Sequence, residues 1–330
     1  MKPFAYVDAK NEQEAIAALA PQRGRTLPLA GGMDLLGLMK DDILQPEAVI
    51  NVKALDGAIT VPAPGQGPVR IGAAARIADL AAHAEIAKLF PALTDAAAAV
   101  GTPQIRNAGT VGGNLMQRPR CWYFRNEEFD CLKKGGARCF AVDGENQYHA
   151  IFGDAPCHIV HPSSLANPIL AYGGRMRVVG PDGEREIEAD RFFVMPDRNM
   201  YGETALEPNE LVTHVILPHP RNVRSAHYEV KFKQSHDWPI TMATVALSMN
   251  GDVVQSARVV LGAVAPIPWR ARAAEAALTG QRVSAETAHA AADAAVQDAQ
   301  PMSGNAYKVR VARTTVHRAV LRAAGLSPTA

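Results

Sequence analysis

The sequence predicts an α+β protein built from more than one unit, and three observations carry that expectation. About the first 55 residues alternate short apolar strands with short helical stretches. The C-terminal third runs through three strands and then three alanine-rich helices, an order that belongs to α+β architecture. Neither G-x-G-x-x-G nor G-x-x-x-x-G-K-[ST] occurs, which argues against a Rossmann domain and a P-loop. A chain of 330 residues is long enough for two cores or three.

Taken in order, residues 3–7 read as a strand, 12–20 as a helix, and Thr26 to Ala30 as a strand running into Gly31-Gly32. Asp34 to Lys40 reads as a second short helix, and Ala48-Val-Ile-Asn-Val52 as a buried strand. Residues 57–75 suggest two strands about the Pro- and Gly-rich turn Pro62 to Pro68, followed by helices at 76–82 and 85–99. Beyond the segment holding the cysteines, Ser163 to Leu170 looks helical. Pro181-Asp-Gly183 joins strands at 175–179 and 185–187 as a hairpin, and Leu211 to Leu217 is another strand. Strands at 226–233, 241–249 and 253–262 follow, the last two joined by Asn250-Gly251. Helices at 269–279, 284–298 and 306–324 close the chain.

Charge excludes several function classes. Lys and Arg number 34 against 33 Asp and Glu, so no nucleic-acid partner is expected. No stretch is apolar for long enough to insert in a membrane. Met1 to Asp8 lacks an apolar region followed by small residues, so no signal peptide is expected and the cytoplasm is the expected compartment. Co-export with a partner would be the route to the periplasm.

Two kinds of motif carry chemistry. Leu29-Ala-Gly-Gly-Met-Asp-Leu35 and Asn107-Ala-Gly-Thr-Val-Gly-Gly-Asn114 are glycine loops. Glycines allow positive φ and let consecutive N–H groups converge on a phosphate, with no Cβ in the way. All four cysteines, Cys121, Cys131, Cys139 and Cys157, fall in one loop-rich stretch bent by Gly135-Gly136, Gly144 and Gly153. Four thiolates suffice for one [4Fe–4S] cluster. A structural zinc ion is the rival occupant, although its tight C-x2–4-C pairs are absent, and a disulfide is the third reading. Arg118, Arg120, Lys133, Lys134 and Arg138 would place positive charge beside an anionic cluster. Trp122, Tyr123 and Phe124 are expected to pack against it or against a neighbouring subunit. His149, His158 and His161 read as supporting residues. A redox centre beside a nucleotide site suggests an electron-transfer flavoprotein.

The ordered motifs resemble a known family. Ala30-Gly-Gly-Met-Asp-Leu35 and Gln104-Ile-Arg-Asn-Ala-Gly-Thr-Val-Gly-Gly-Asn114 look like the paired FAD motifs of molybdenum hydroxylase flavoprotein subunits, the xanthine dehydrogenase and carbon monoxide dehydrogenase medium subunits. The likeness continues through Asp190-Arg-Phe-Phe193, Glu210 to Pro218 and Gly262 to Arg270, and ends at Asn305-Ala-Tyr-Lys308, covering essentially the whole chain. It implies a two-lobed, vanillyl-alcohol-oxidase-like FAD domain over 1–223, with lobes at about 1–55 and 56–223, and a smaller α+β domain over 224–330. It also implies that Leu29, Ala30, Gly31, Gly32, Met33, Asp34 and Leu35 line one side of the FAD. Gly109, Thr110, Gly112, Gly113 and Asn114 would line the other, with Gln104 and Arg106 as braces. Ser164 stands where the family usually has an aspartate, and Met33 where it often has Thr. Lys231, or Lys233 after it, matches a lysine near the flavin, with Asp237 in the acidic loop that follows.

The insertion at about 117–160 is similar to that of the subset carrying an extra [4Fe–4S] cluster, closest to aldehyde oxidoreductase FAD subunits. The implied role is to pass electrons from a large molybdopterin-binding subunit and a small [2Fe–2S] subunit through FAD to an external acceptor. No catalytic residue for the organic substrate is expected in this chain. A 4-hydroxybenzoyl-CoA-reductase-type subunit and a stand-alone FAD protein with a zinc-stapled loop are the alternatives.

Overall fold

The computed structural model describes residues 1–233 and 236–327, organised around three sheets. The first contains β1 (Ala5–Asp8), β2 (Thr26–Leu29) and β3 (Ala48–Asn51), in the order β1-β3-β2 and all parallel. Parallel neighbours need crossovers. These contain α1 (Glu12–Ala18), between β1 and β2, and α2 (Leu35–Lys40), between β2 and β3. Asn11 starts α1 by accepting from the Glu14 N–H at 2.9 Å. The core under this sheet is small: Ala9, Ala15, Leu19, Ile50 and Val52, completed by Leu211 from far downstream.

The second unit opens with β4 (Ile59–Thr60) and β5 (Val69–Gly72). Seven helices follow: α3 (Ile77–Ala82), α4 (Ala84–Leu89), α5 (Pro91–Ala99), α6 (Pro103–Ala108), α7 (Val111–Leu115), α8 (Trp122–Arg125) and α9 (Ala166–Ala171). It closes with the hairpin β6 (Arg175–Gly180) and β7 (Gly183–Glu188), then α10 (Ala189–Phe192) and β8 (Leu211–Leu217). Its sheet runs β4-β5-β8-β6-β7, antiparallel throughout. The expected helix at 85–99 is two helices. Pro91 has no N–H to continue α4, so it sits at the first position of α5 instead. Phe90, at the break, is fully buried and meets Tyr172 edge-on at 4.9 Å.

The third unit is β9 (Val223–Lys231), β10 (Pro239–Asn250), β11 (Val253–Gly262) and β12 (Trp269–Arg270), in the order β12-β11-β10-β9 and antiparallel. Gly251, at φ +59°, makes the turn expected at Asn250-Gly251. The helix expected from 269 starts later, because Trp269 and Arg270 pair with β11 first. Then come α11 (Arg272–Leu278), α12 (Ala285–Val296) and α13 (Tyr307–Ala323). Ala288, Ala291, Ala292 and Ala295 are buried and follow the i, i+3, i+4, i+7 spacing of one helix face. That face lies in the same core as Ala312, Val316 and Val320 of α13.

The cysteine-bearing segment has little regular structure beyond α8 and one 3-10 turn at Leu132–Lys134. Ile151 and Phe152 at its far end join the third core, with Phe152 stacked on Trp269 at 5.3 Å. Lys308 on α13 clamps the same stretch: its Nζ donates to the carbonyls of Tyr148 (3.0 Å), His149 (2.9 Å) and Ala263 (2.7 Å). Burial pulls its pKa down to about 7, while three carbonyls match the three N–H bonds of an ammonium. Lys308→Met removes that tripod and takes a donor from each of the three carbonyls, of which His149 keeps Asn305 Nδ2 at 3.1 Å. We expect it to cost about 3 kcal/mol or more, read as a lowered denaturation midpoint of the full chain.

Candidate functional site

A cavity of about 490 Å³ opens where the first and second units meet the start of β10. Thirteen of the residues expected at a cofactor line it: Ala30, Gly31, Gly32, Met33, Asp34, Leu35, Gly109, Thr110, Gly112, Gly113, Asn114, Ser164 and Lys231. Three do not. Leu29 ends β2, with its side chain on the Gly32 side of the turn. Gln104 is exposed on α6. Arg106 braces the rim, donating to the carbonyls of Val100 at 2.8 Å and Gly101 at 3.4 Å.

The two glycine motifs work differently from one another. The first is a true turn, with Gly32 at φ +72°. Among the described residues, the N–H groups of Gly31, Gly32, Met33 and Asp34 form no hydrogen bond within the chain, so they are available to an anion. The second is helical. Thr110 caps α7 by accepting from the Gly113 N–H at 3.0 Å, and the N–H groups of Val111, Gly112 and Asn114 go to Ala75, Ala73 and Thr110 carbonyls. The N–H groups of Val111 to Asn114 are thus already used, and the run of free backbone donors lies in the first motif. Neither Gly112 nor Gly113 has positive φ.

Two of these glycines are set by packing of the chain on itself rather than by approach of a ligand. A Cβ on Gly31 would lie 2.1 Å from the Ala108 carbonyl oxygen, and one on Gly112 would lie 2.8 Å from the Ala73 Cβ. Glycine at 31 lets the two motifs close on each other, and glycine at 112 lets the second motif pack on the chain just after β5.

Asp34 is the most heavily used polar group here. Its carboxylate takes the Arg118 N–H at 2.7 Å, Arg120 Nη1 at 2.5 Å and Arg125 Nη2 at 2.6 Å. It thus ties the cavity to the cysteine segment. Burial pulls Arg120 down to about 10, against the pull of Asp34. Its guanidinium stacks over Trp238 at 4.4 Å. Beyond that pair lies a second cavity of about 230 Å³, which Cys121 and His149 also line.

The basic residues expected around a cluster are mostly paired with other groups. Arg118 and the buried Lys133 both form ion pairs with Glu203 at 2.7 Å, Lys134 donates to the Asn126 carbonyl, and Arg138 covers Phe140 at 4.6 Å. Tyr123 and Phe124 are buried within the chain, and Trp122 packs on Tyr123, Tyr148 and His149.

All four cysteines are free thiols. Cys139 and Cys157 act on one another, lowering the Cys139 thiol and raising that of Cys157. Burial pushes Cys121 up to about 11, with Cys139 and Cys131 adding to the shift. Its Sγ lies 3.3 Å from His149 Nε2. Burial pulls His149 and His161 down to about 4, so both are neutral. Among the described residues no three His, Cys, Asp or Glu side chains are placed to hold a single metal ion.

A cavity of this size, with free backbone donors and a lysine in its wall, falls in the range of cofactor sites and fits a pyrophosphate-bearing ligand. The two-lobed unit with a smaller domain behind it is the architecture of an FAD-binding flavoprotein. Residues 2–220 match the family model of the FAD binding domain in molybdopterin dehydrogenase, and residues 226–323 that of the CO dehydrogenase flavoprotein C-terminal domain. The aldehyde oxidoreductase FAD-binding subunit PaoB of Escherichia coli K12 is 34% identical over 321 residues, covering 96% of both chains. The carbon monoxide dehydrogenase medium chain of Hydrogenophaga pseudoflava is 28% identical over 96% of both. A solved structure of that organism's carbon monoxide dehydrogenase superposes with a TM-score of 0.77 at 29% identity, covering 98% of this chain and 99% of that one. The chain is an FAD-binding medium subunit of the molybdenum hydroxylase and carbon monoxide dehydrogenase family, and so an oxidoreductase subunit.

Proposed function

We infer that this chain is the electron-transfer subunit of a molybdenum-dependent hydroxylase of the aldehyde oxidoreductase kind. Substrate is oxidised in a large molybdopterin-binding partner, and electrons arrive through a small [2Fe–2S] subunit. The observation that carries this reading is the set of unbonded N–H groups at Gly31 to Asp34, facing a cavity that both family motifs line. Bound FAD supplies exchange of one or two electrons, so one-electron donors can serve a two-electron acceptor. The chain's part is to bind and orient. Gly31, Gly32, Met33 and Asp34 offer backbone donors to phosphate. Thr110, Gly112, Gly113 and Asn114 shape the facing wall, and Lys231 supplies a cation. Residues 1–223 form the FAD-binding part and 224–330 the smaller domain.

The same reading assigns Cys121, Cys131, Cys139 and Cys157 to one [4Fe–4S] cluster. Its support is four free thiols in a single segment, three of them acting on one another electrostatically at Cys121. The segment shares the Arg120–Trp238 wall with the flavin cavity, which suits an additional redox centre.

Purification with co-expressed partner subunits tests the assignment. One FAD, one molybdenum and iron with acid-labile sulfide in excess of the small subunit's content are expected. The chain expressed alone should load less flavin and aggregate at lower temperature. Equal loading and equal melting in both preparations would count against an obligate complex, and zinc in place of the extra iron would replace the cluster by a structural ion.

A further inference from the structure

Side chains alternate along β9. Tyr228 turns toward α13, where Arg318 Nη1 donates to its hydroxyl at 2.8 Å. His227, Glu229 and Lys231 are two residues apart and share the other face. Glu229 is the centre of this group. It accepts from Ser164 Oγ at 2.7 Å and His227 Nε2 at 3.0 Å, and its second oxygen lies 2.7 Å from Lys231 Nζ. His227 Nδ1 is fixed by Thr244 Oγ1 at 2.8 Å, and Lys231 also donates to the Ala99 carbonyl at 2.8 Å. The Glu229 side chain is only 5% exposed. Burial opposes its charge, but His227 and Lys231 prevail and hold the carboxyl down at about 2.

Ser164 and Lys231 stand on the wall of the flavin cavity; Glu229 stands behind them. An ionised carboxylate only accepts, so Ser164 must be the donor in their hydrogen bond, and a hydroxyl has one proton to give. The Ser164 oxygen therefore presents only lone pairs to whatever fills the cavity. Lys231 donates one N–H to the Ala99 carbonyl and is held beside the cavity as the ion-pair partner of Glu229.

We propose that Glu229 is a positioning residue of the flavin site: it makes Ser164 an obligate acceptor, and holds Lys231 in place as a charge-paired cation, toward bound FAD. The acceptor suits an N–H or hydroxyl of the cofactor, and the lysine cation suits one of its oxygens. This rests on the reading of the cavity as the FAD site.

The test uses the full chain in its complex, with FAD affinity measured by fluorescence of released flavin and the flavin midpoint potential measured by redox titration. Glu229→Gln keeps the shape but adds a donor and leaves Lys231 uncompensated. FAD affinity should fall about tenfold to a hundredfold, and the potential should move upward as negative charge is lost beside the cavity. Ser164→Asp sets a second carboxylate against Glu229 and should weaken FAD similarly. Combining Ser164→Asp with Glu229→Gln returns one carboxylate and one donor to the pair, so affinity should recover most of the loss. Ser164→Ala, which leaves the buried charges alone, should also weaken FAD and serves where Glu229→Gln fails to fold. Additive losses in the double variant, or affinities within about twofold of wild type in Glu229→Gln or Ser164→Ala, overturn the proposal. A wild-type chain whose bound flavin is displaced by nothing at this cavity, with Gly31 variants still loaded, overturns the FAD reading itself.

Discussion

Gly31→Val should give a chain that retains most of its secondary structure and no bound FAD. The new Cβ would sit 2.1 Å from the carbonyl oxygen of Ala108, a backbone atom that cannot swing aside. The first glycine turn must then move away from the end of α6, and the four unbonded N–H groups move with it. Overpacking of this kind costs about 1–3 kcal/mol or more, and displaced donors would weaken phosphate binding by at least about a hundredfold. Gly37→Ala is the control. It lies on α2 just beyond the turn, where a Cβ meets nothing within 4 Å, and helix propensity favours alanine by about 1 kcal/mol. Flavin-to-protein ratios after gel filtration separate the two variants. A Gly31→Val chain with stoichiometric flavin would move the pyrophosphate elsewhere.

The second large effect is expected at the cysteines. Changing any one of Cys121, Cys131, Cys139 or Cys157 to serine should abolish the extra cluster's visible absorbance and its low-temperature EPR signal in the reduced state. Most FAD should stay bound, because no cysteine lines the main cavity. A disulfide or stoichiometric zinc in anaerobically purified wild type would falsify the cluster.

Legibility in the sequence followed the range of the interaction. Turn chemistry is local, so Pro181-Asp-Gly183 and Asn250-Gly251 marked their hairpins correctly, and the alanine spacing of α12 marked its buried face. Pro91 carried the signal for the break at Phe90 inside the stretch 85–99 expected as one helix. The glycine motifs located the cavity wall, but their local pattern said nothing about which N–H groups the rest of the chain would use. The second motif looked equivalent to the first until Ala73 and Ala75 claimed its donors. Charge partners distant in sequence were not readable at all. Arg120 and Arg125 are basic residues beside cysteines in the sequence, and they belong to Asp34 in the structure. Glu229 carried a faint signal, a carboxylate two residues from a lysine on a strand, which gives no hint of Ser164.

The dependence of the first unit's small core on Leu211 has a consequence for synthesis. Residues 1–52 emerge from the ribosome early, with a parallel sheet of three short strands and too few apolar side chains to hold it closed. The leucine that completes that core arrives on the order of ten seconds later at ordinary elongation rates. The N-terminal stretch must wait as an unfinished, strand-rich nascent chain, and its native closure coincides with the arrival of β8 in the second sheet. Vectorial translation therefore does not impose N-to-C folding here. A chain stalled before Leu211 should remain protease-sensitive throughout its first lobe and present a stretch of backbone that chaperones bind.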